Sequence, residues 1–535
     1  MKKTIGLLLA CVMLVSALPA PVTAAQEIKT AKNVILLIPD GQSVGGTTLA
    51  RWYKGGSLAL DEMACGLVRT YSADSAIADS APAATAMATG FKSRTGYIGV
   101  LGEQYSMPGL SQIAPGDEKR PVANVLEAAQ LQGKATGIIA TSEIMHATPA
   151  AFSSHGPSRK DYDSLCEQQV YQEIDVVLGS GSKFFAEARK DGEDLIAEIK
   201  TLGYQYATTR SEMNAVSSGK LWGMFAPADL AYEFDRDQST QPSLAEMTRK
   251  SIELLSQDKD GFFLMVEGSK IDWAAHANDP IGVISDTLAF DDAVAEALRF
   301  AKQDGNTVVI AATDHGNGGI TIGDSGTSGS YDKLHIDNYL NPLKKATLTG
   351  EGIEKKLNAD RSNITEIMSR YYGIDDLTAE EIAAIRETPA GSMNYTVGPM
   401  ISKRANIGWT TTGHTGEDVP LYVYAPNGLG ITGVYENSDL ATYMETVLGL
   451  DLSGATDRLF VPVRQAAEEK GAQVAWNTSD AKNPVIELTK GGVKVELPVN
   501  KNYALVNGEK VTLDGVTVYN GVKTFAPFAA ISLLP

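Results

Sequence analysis

Short apolar runs that stop abruptly at a polar, reactive residue recur along this chain, and they restrict its fold more than any other feature. Residues 33–38 run toward Asp40, residues 262–266 into Glu267, and Thr307–Ala312 toward Asp314. Residues 137–140 lead toward His146 and Thr148, while 421–424 follow His414. Apolar runs of this length bounded by turn signals suit strands buried on both faces. Helical patterns lie between them, at 122–131, Leu244–Leu255 and 286–301. The alternation predicts an α/β fold: a mostly parallel central sheet with helices on both faces. Such a sheet binds ligands beyond the carboxyl ends of its strands, which is where these polar residues fall.

The two ends of the chain read differently. Residues 1–25 carry a pair of lysines, an apolar run and a small-residue end, the form of a signal peptide for an exported protein: periplasmic, secreted or cell-surface associated. Residues 8–11 have the outline of a lipoprotein box, but the apolar run continues past Cys11, which favours an unlipidated signal. Beyond it, Cys65 and Cys166 lack metal-ligand spacing; a disulfide between them and burial as free thiols both stay open. Residues 26–452 form the expected catalytic unit. Within it, about 323–399 turns Gly/Ser-rich and then charged and helical, which reads as an insertion over the site. From 453 onward, alternating patterns at 493–499 and 511–518, with turn pairs such as Asn507-Gly508 and Asp514-Gly515, predict a small β-rich C-terminal module.

A formal charge of −19 argues against non-specific nucleic-acid binding, because a phosphate backbone would be repelled. A site for any anionic ligand in such a chain needs a local reversal of the field, and metal ions held by carboxylates supply one. Candidate ligands are spread widely. Asp272 and His276 stand four apart, a spacing that puts both on one helix face. Asp314-His315 opens a glycine-rich turn, and His414 lies in a loop of small residues. Each alone is weak, since Asp and His at helical spacing are more often a solvated surface pair. Recurrence at strand ends changes that balance. Histidine with carboxylate suits zinc, whereas the oxygen ligands Asp40, Thr148 and Glu267 suit magnesium. Ser80 precedes an alanine-rich segment with Pro82 in its first turn and Gly90 at its end, so it is either a helix cap or a nucleophile at the positive end of a helix. Arg159 is the candidate for a bidentate grip on phosphate. His155 and His335 read as structural or surface residues.

Taken in order, these segments resemble the alkaline phosphatase family over about residues 33–445. The most specific matches are Asp79-Ser80-Ala81 through Gly90 and Val266-Glu267-Gly268-Ser269-Lys270-Ile271-Asp272 with His276; Thr313-Asp314-His315, His414-Thr415-Gly416 and 147–151 with Arg159 complete the set. The resemblance implies hydrolysis of phosphate monoesters through a phosphoserine at Ser80. It implies one Zn2+ on Asp272, His276 and His414, a second on Asp40, Asp314 and His315, and a third ion, usually Mg2+, on Asp40, Thr148 and Glu267. Arg159 would hold the phosphoryl oxygens. Many relatives are dimers, which leaves a homodimer open. His146 stands where some members have Asp, and Trp273 where those members have Lys, so the shell around the third ion departs from that pattern.

The tail, through Phe460-Val461-Pro462-Val463-Arg464 and Val474-Ala475-Trp476-Asn477, resembles the copper amine oxidase N-terminal-like module of exported bacterial proteins. No histidine or cysteine follows His414, so no copper chemistry is implied. Contact with the envelope or another protein is one expectation and a stabilising appendage the other; removal of 456–535 is expected to leave activity largely intact. The competing functional readings are a phosphodiesterase or sulfatase on the same fold, and a noncatalytic surface-binding protein.

Overall fold

The computed structural model describes residues 30–535, so the expected signal peptide and Cys11 lie outside the described residues. The strands of the catalytic unit are β1 (Asn33–Pro39), β2 (Ala64–Arg69), β3 (Ala135–Glu143), β4 (Val176–Ser180), β5 (Gln205–Ala207), β6 (Leu221–Met224), β7 (Phe262–Gly268) and β8 (Thr307–Ala312). Four two-residue strands follow, β9 (Gly316–Asn317), β10 (Thr321–Ile322), β11 (Ile407–Gly408) and β12 (His414–Thr415), and then β13 (Val419–Tyr424) and β14 (Gly433–Glu436). Ten of them form one sheet in the order β14-β2-β13-β8-β1-β7-β3-β4-β6-β5.

Side-chain alternation along β1 shows why this sheet is covered on both faces. Val34, Leu36 and Ile38 join the apolar layer that contains Ala84, Met87 and Ala88 of the Ser80–Thr89 helix. Ile35 and Leu37 face the opposite layer, with Met247 of Leu244–Leu255 and Phe290 of Pro280–Asp304. All five β1 side chains are fully buried, and each contributes about 1.5–3 kcal/mol of transfer free energy. The Pro280–Asp304 helix starts earlier than its apolar pattern predicts, because Asp279 caps Ile281 N at 2.9 Å and Pro280 occupies the first turn.

Every neighbouring pair in the sheet is parallel except the two made by β13, which runs antiparallel to both β2 and β8. This reversal matters for the site. A parallel strand delivers its last residues to the ligand edge, whereas β13 begins there, with Leu421 opposite Ala312 at the end of β8. His414 therefore reaches the ligand edge just before a strand, and the other candidates just after one.

The insertion is helical, with Asp337–Lys344, Gly350–Glu354, Ala379–Glu387 and Met393–Arg404 packed through Leu343, Ile353, Ile385 and Ile401 onto Leu49 and Ile284. Its base is closed by the β10–β11 pair. Pro399, at the expected end, lies inside the last of these helices. Beyond the capped Leu452–Leu459 helix, the tail forms β15 (Val461–Pro462), β16 (Gln473–Asn477), β17 (Val485–Lys490), β18 (Val493–Pro498), β19 (Tyr503–Val506), β20 (Glu509–Thr512), β21 (Val518–Tyr519) and β22 (Thr524–Ala526). These make an antiparallel five-stranded sheet and a three-stranded one around their own apolar core. The single strand expected over 511–518 is broken in two: the Asp514-Gly515 turn folds the chain back, and Leu513 N donates to Asn502 O at 2.7 Å. Cys65 and Cys166 are free.

Candidate active site

Asp40 follows β1, Glu267 ends the apolar part of β7, and Asp314 and His315 follow β8. Thr148 lies in the short Ala147–Ala151 helix after β3, and Asp272 and His276 lie on one face of Lys270–His276 after β7. His414 is brought in by the β12–β9 pair, opposite Asn317. The fold thus gathers residues 40 to 414 at one edge of the sheet.

The hydrogen-bonding pattern of three histidines defines what the centre wants. His276 Nδ1 donates to Thr412 O at 2.7 Å, His414 Nδ1 to Ala78 O at 2.8 Å, and His315 Nδ1 to Gly316 O at 3.2 Å. With Nδ1 holding the proton, each Nε2 presents a lone pair inward. His276 Nε2 and His414 Nε2 lie 3.1 Å apart, at 3.3 and 3.6 Å from the Asp272 carboxylate. His315 Nε2 lies 3.1 Å from Asp314 Oδ2 and 3.7 Å from Asp40 Oδ1. The His315 and His414 rings stack at 3.6 Å, so these two groups adjoin. Lone pairs and carboxylate oxygens converging on one point repel each other unless a cation lies between them.

The third group is made of oxygens. Both carboxylate oxygens of Asp40, Thr148 Oγ1, Glu267 Oε1, Asp314 Oδ2 and His146 Nδ1 are buried without a hydrogen-bond partner. Potential ligand atoms of Asp40, His146 and Glu267 lie within 4.8 Å of one another, as do those of Asp40, Asp314 and His315. Burial, reinforced by the Asp314, Asp272 and Glu267 carboxylates, pushes Asp40 well above the usual carboxylate range. Burial, with Asp314 nearby, raises Glu267 to about 7. Burial would raise Asp272 too, but the bond to His276 and the charges of His315, His276 and His414 hold it below its usual value. Burial and the Arg159 charge depress His146 to about 3. Orphaned acceptors around crowded carboxylates fit divalent cations. One set offers two imidazoles and a carboxylate, one offers an imidazole and two carboxylates, and one is made of oxygens with His146 beside it, all of them donors suited to divalent cations.

Ser80 stands where these groups meet, with Oγ 3.3 Å from His315 Nε2. Asp79, not Ser80, takes the N-cap position of the Ser80–Thr89 helix, and Ser80 is the first helical residue. Asp79 makes no side-chain cap; its carboxylate instead pairs with Arg159 Nη1. Arg159 Nη2 bonds His146 Nε2 at 2.9 Å. Trp273 meets the His146 ring edge to face at 5.9 Å, and the buried Lys270 ammonium lies 4.5 Å from the Trp273 ring. Lys270 also reaches Asp229 and, at 3.4 Å, Glu351 of the insertion.

Two contributors escape a reading by motif. Asn317 donates to Asp272 Oδ1 at 2.6 Å. Gly41, at φ 67°, lets the chain pass so close to Asp272 that a Cβ there would sit 2.5 Å from Oδ1. Asn317 lies in the glycine-rich turn after His315, but its partner is visible only once β9 pairs with β12. His155 is buried between Gly99 O and Glu127, and His335 is exposed beside Asp337, both away from the centre.

Comparison with known proteins agrees with this geometry. Residues 31–450 match the alkaline phosphatase family, and residues 452–533 match the copper amine oxidase N-terminal domain. The chain is 38% identical over 449 residues to alkaline phosphatase 3 of Bacillus subtilis, covering 79% of this chain and 91% of that protein. The crystal structure of Thermus thermophilus alkaline phosphatase superposes with a TM-score of 0.69 at 27% identity, over 79% of this chain and 92% of that one. The structure of a TAB5 alkaline phosphatase variant in which a histidine is replaced by glutamate, with Mg bound in the M3 site, superposes with a TM-score of 0.57 at 28% identity, over 79% of this chain and all of that one.

Proposed function

Because the chain belongs to the alkaline phosphatase family, we propose that it hydrolyses phosphate monoesters through a phosphoserine on Ser80, at a centre of two zinc ions and one magnesium ion. The observation that carries this reading is the convergence of three inward Nε2 lone pairs and a cluster of orphaned carboxylate oxygens on the hydroxyl at the start of the Ser80–Thr89 helix. Asp272, His276 and His414 would hold one zinc; Asp40, Asp314 and His315 the other; Asp40, Thr148 and Glu267 the magnesium. When bound, the ions supply positive charge that lowers the pKa of the Ser80 hydroxyl and offsets charge on the reacting phosphoryl group.

The chain's own residues supply the rest. Ser80 Oγ attacks phosphorus as the bond to the leaving alcohol breaks; water then breaks the Ser80–phosphorus bond and returns a proton to the serine. The first-turn amides of Ser80 and Ala81 have no intrahelical acceptor and sit at the positive end of the helix, where they favour phosphoryl oxygens. Arg159, held by Asp79 and His146, keeps further guanidinium N–H groups for nonbridging oxygens. Contacts of this kind read the phosphate rather than the alcohol, so a broad range of monoesters is expected. His146 introduces a nitrogen beside the magnesium set, and the TAB5 variant in which glutamate replaces a histidine carries Mg in its M3 site. Export, directed by residues 1–25, belongs to the same reading.

The test is hydrolysis of a nitrophenyl phosphate monoester and its diester by zinc- and magnesium-loaded protein, with anomalous diffraction at the zinc edge. Monoester preference with two zinc peaks beside Ser80 is expected; a strong diester preference would overturn the assignment.

A further inference from the structure

The C-terminal module lies against the segment that carries Arg159. His155, four residues before the arginine, is fixed from several directions. Its backbone N–H donates to Gln168 Oε1 at 2.8 Å, and its carbonyl accepts from Gln168 Nε2 at 2.9 Å. Its ring nitrogens meet Gly99 O at 2.8 Å and Glu127 Oε1 at 2.9 Å. One residue on, Gly156 exchanges backbone hydrogen bonds with Ile98, and Arg159 N donates to Gly96 O at 2.8 Å. The backbone from 155 to 159 is thereby laid along 96–99, which aims the guanidinium at Asp79 and His146.

Three residues from beyond residue 452 stand behind this segment. The buried Phe460 ring packs edge-on against the His155 ring, with centroids 4.6 Å apart. Asn500 Oδ1 accepts from Gln168 Nε2 at 3.1 Å, while Asn500 Nδ2 donates to Glu167 at 2.9 Å. Lys501 adds an ion pair to the same Glu167 at 3.2 Å. Gln168 Nε2 is thus shared between Asn500 Oδ1 of the module and the His155 carbonyl, while Gln168 Oε1 accepts from the His155 N–H. A 420 Å³ cavity is walled on one side by Pro157, Ser158 and Asp161 and on the other by Trp476 and Tyr519 of the module. Packing along this flank is thus interrupted by the cavity, and the specific contacts just named tie the segment to the module across it.

We propose that the C-terminal module is a positioning element for phosphate binding: Asn500, acting through Gln168 and His155, sets the place of Arg159. This rests on the phosphatase reading and goes beyond it, because it gives the module a part in substrate affinity. His155, Gln168 and Asn500 touch no substrate; they are positioning residues, and their effect passes through the arginine.

Asn500 has φ 67°, so Asn500→Gly removes both side-chain bonds without imposing backbone strain. In the full-length, metal-loaded protein the expected result is a rise of about tenfold in KM for the nitrophenyl monoester and in the inhibition constant of inorganic phosphate, with kcat changed less. Gln168→Met, which keeps the volume and removes the amide, is expected to give a larger rise. The decisive arm repeats each substitution in an Arg159→Ala background, where it should have no further effect on phosphate affinity. An equal loss in both backgrounds, or no loss from Asn500→Gly, overturns the proposal. Phosphate affinity is also read by calorimetric titration, so an unsubstituted protein inactive on monoesters would defeat the functional reading and still leave the positioning claim decided.

Discussion

Asn317 donates a 2.6 Å hydrogen bond to Oδ1 of Asp272, and its strand pairs with the strand of His414. One residue therefore ties together two proposed ligands of the same zinc, Asp272 through its side-chain amide and His414 through its strand. Asn317→Ala is expected to weaken zinc affinity by about 10–100-fold, the usual effect of removing an outer partner of a ligand. Chelator competition reads this directly. Unchanged affinity would mean that Asp272 is oriented by its helix alone.

Ser80→Ala is expected to lower kcat for the monoester by about 10³-fold or more while inorganic phosphate still binds. Acid-quenched wild-type protein should carry one phosphoryl group, located by mass spectrometry on Ser80. A labelled residue elsewhere, or a fully active alanine variant, would remove the phosphoserine from the mechanism.

Removal of the metals should destabilise the fold as well as silence it. Asp40, Asp314 and Glu267 are buried together, and without cations their negative charges face one another. Chelation is expected to lower the melting temperature by about 5–10 °C, since ions that bind only the folded chain add several kcal/mol. Restoration with zinc followed by magnesium, monitored by scanning calorimetry, should return it.

His146→Asp would replace a buried neutral nitrogen with an oxygen ligand beside Asp40 and Glu267. Magnesium should then bind at least several-fold more tightly, because a hard cation prefers carboxylate to imidazole. Magnesium titration of activity in zinc-loaded protein measures the change. Full activity of the parent with zinc alone would remove magnesium from the third position.

Asp279 offers a pH test away from the centre. Burial raises its carboxyl to about 7, against a usual value of 3.8. In the unfolded chain the proton is lost near pH 4, whereas the folded chain keeps it to about pH 7. The folded state then binds more protons, so stability falls as pH rises from about 4 to 7 and levels off above. Asp279→Asn preserves the cap on Ile281 and removes this slope. The variant should gain on the parent across that window, by roughly 4 kcal/mol at most. Parallel denaturation curves at pH 5 and 8 that differ equally between the two proteins would show no such linkage.

The features legible in the sequence were those encoded locally. The β8 strand and the Leu244–Leu255 helix have the extents their apolar patterns predict, because burial on two faces or one stripe writes itself into consecutive residues. The residues at the strand ends were visible for the same reason. What stayed hidden depends on partners far along the chain. The direction of β13 follows from pairing with β2 and β8, and Asn317 acquires its role only from the β9–β12 register. The N-cap is Asp79, whose backbone is still extended, and its carboxylate caps nothing because it pairs with Arg159, a residue 80 positions away. Met393–Arg404 runs through Pro399 since tertiary packing against Leu49 and Ile284 outweighs one lost helical hydrogen bond.

The placement of His414 before a reversed strand has a temporal consequence. Asp40 is among the first folded residues to be made and His414 among the last of the catalytic unit, with the clamp at Phe460 and Asn500 later still. A chain cut before His414 can present the set of Asp40, Thr148 and Glu267 and the set of Asp40, Asp314 and His315, but not the set that His414 completes. Full loading of the centre therefore waits until the chain has been made through His414, and an incompletely made catalytic unit carries an incomplete set of ions.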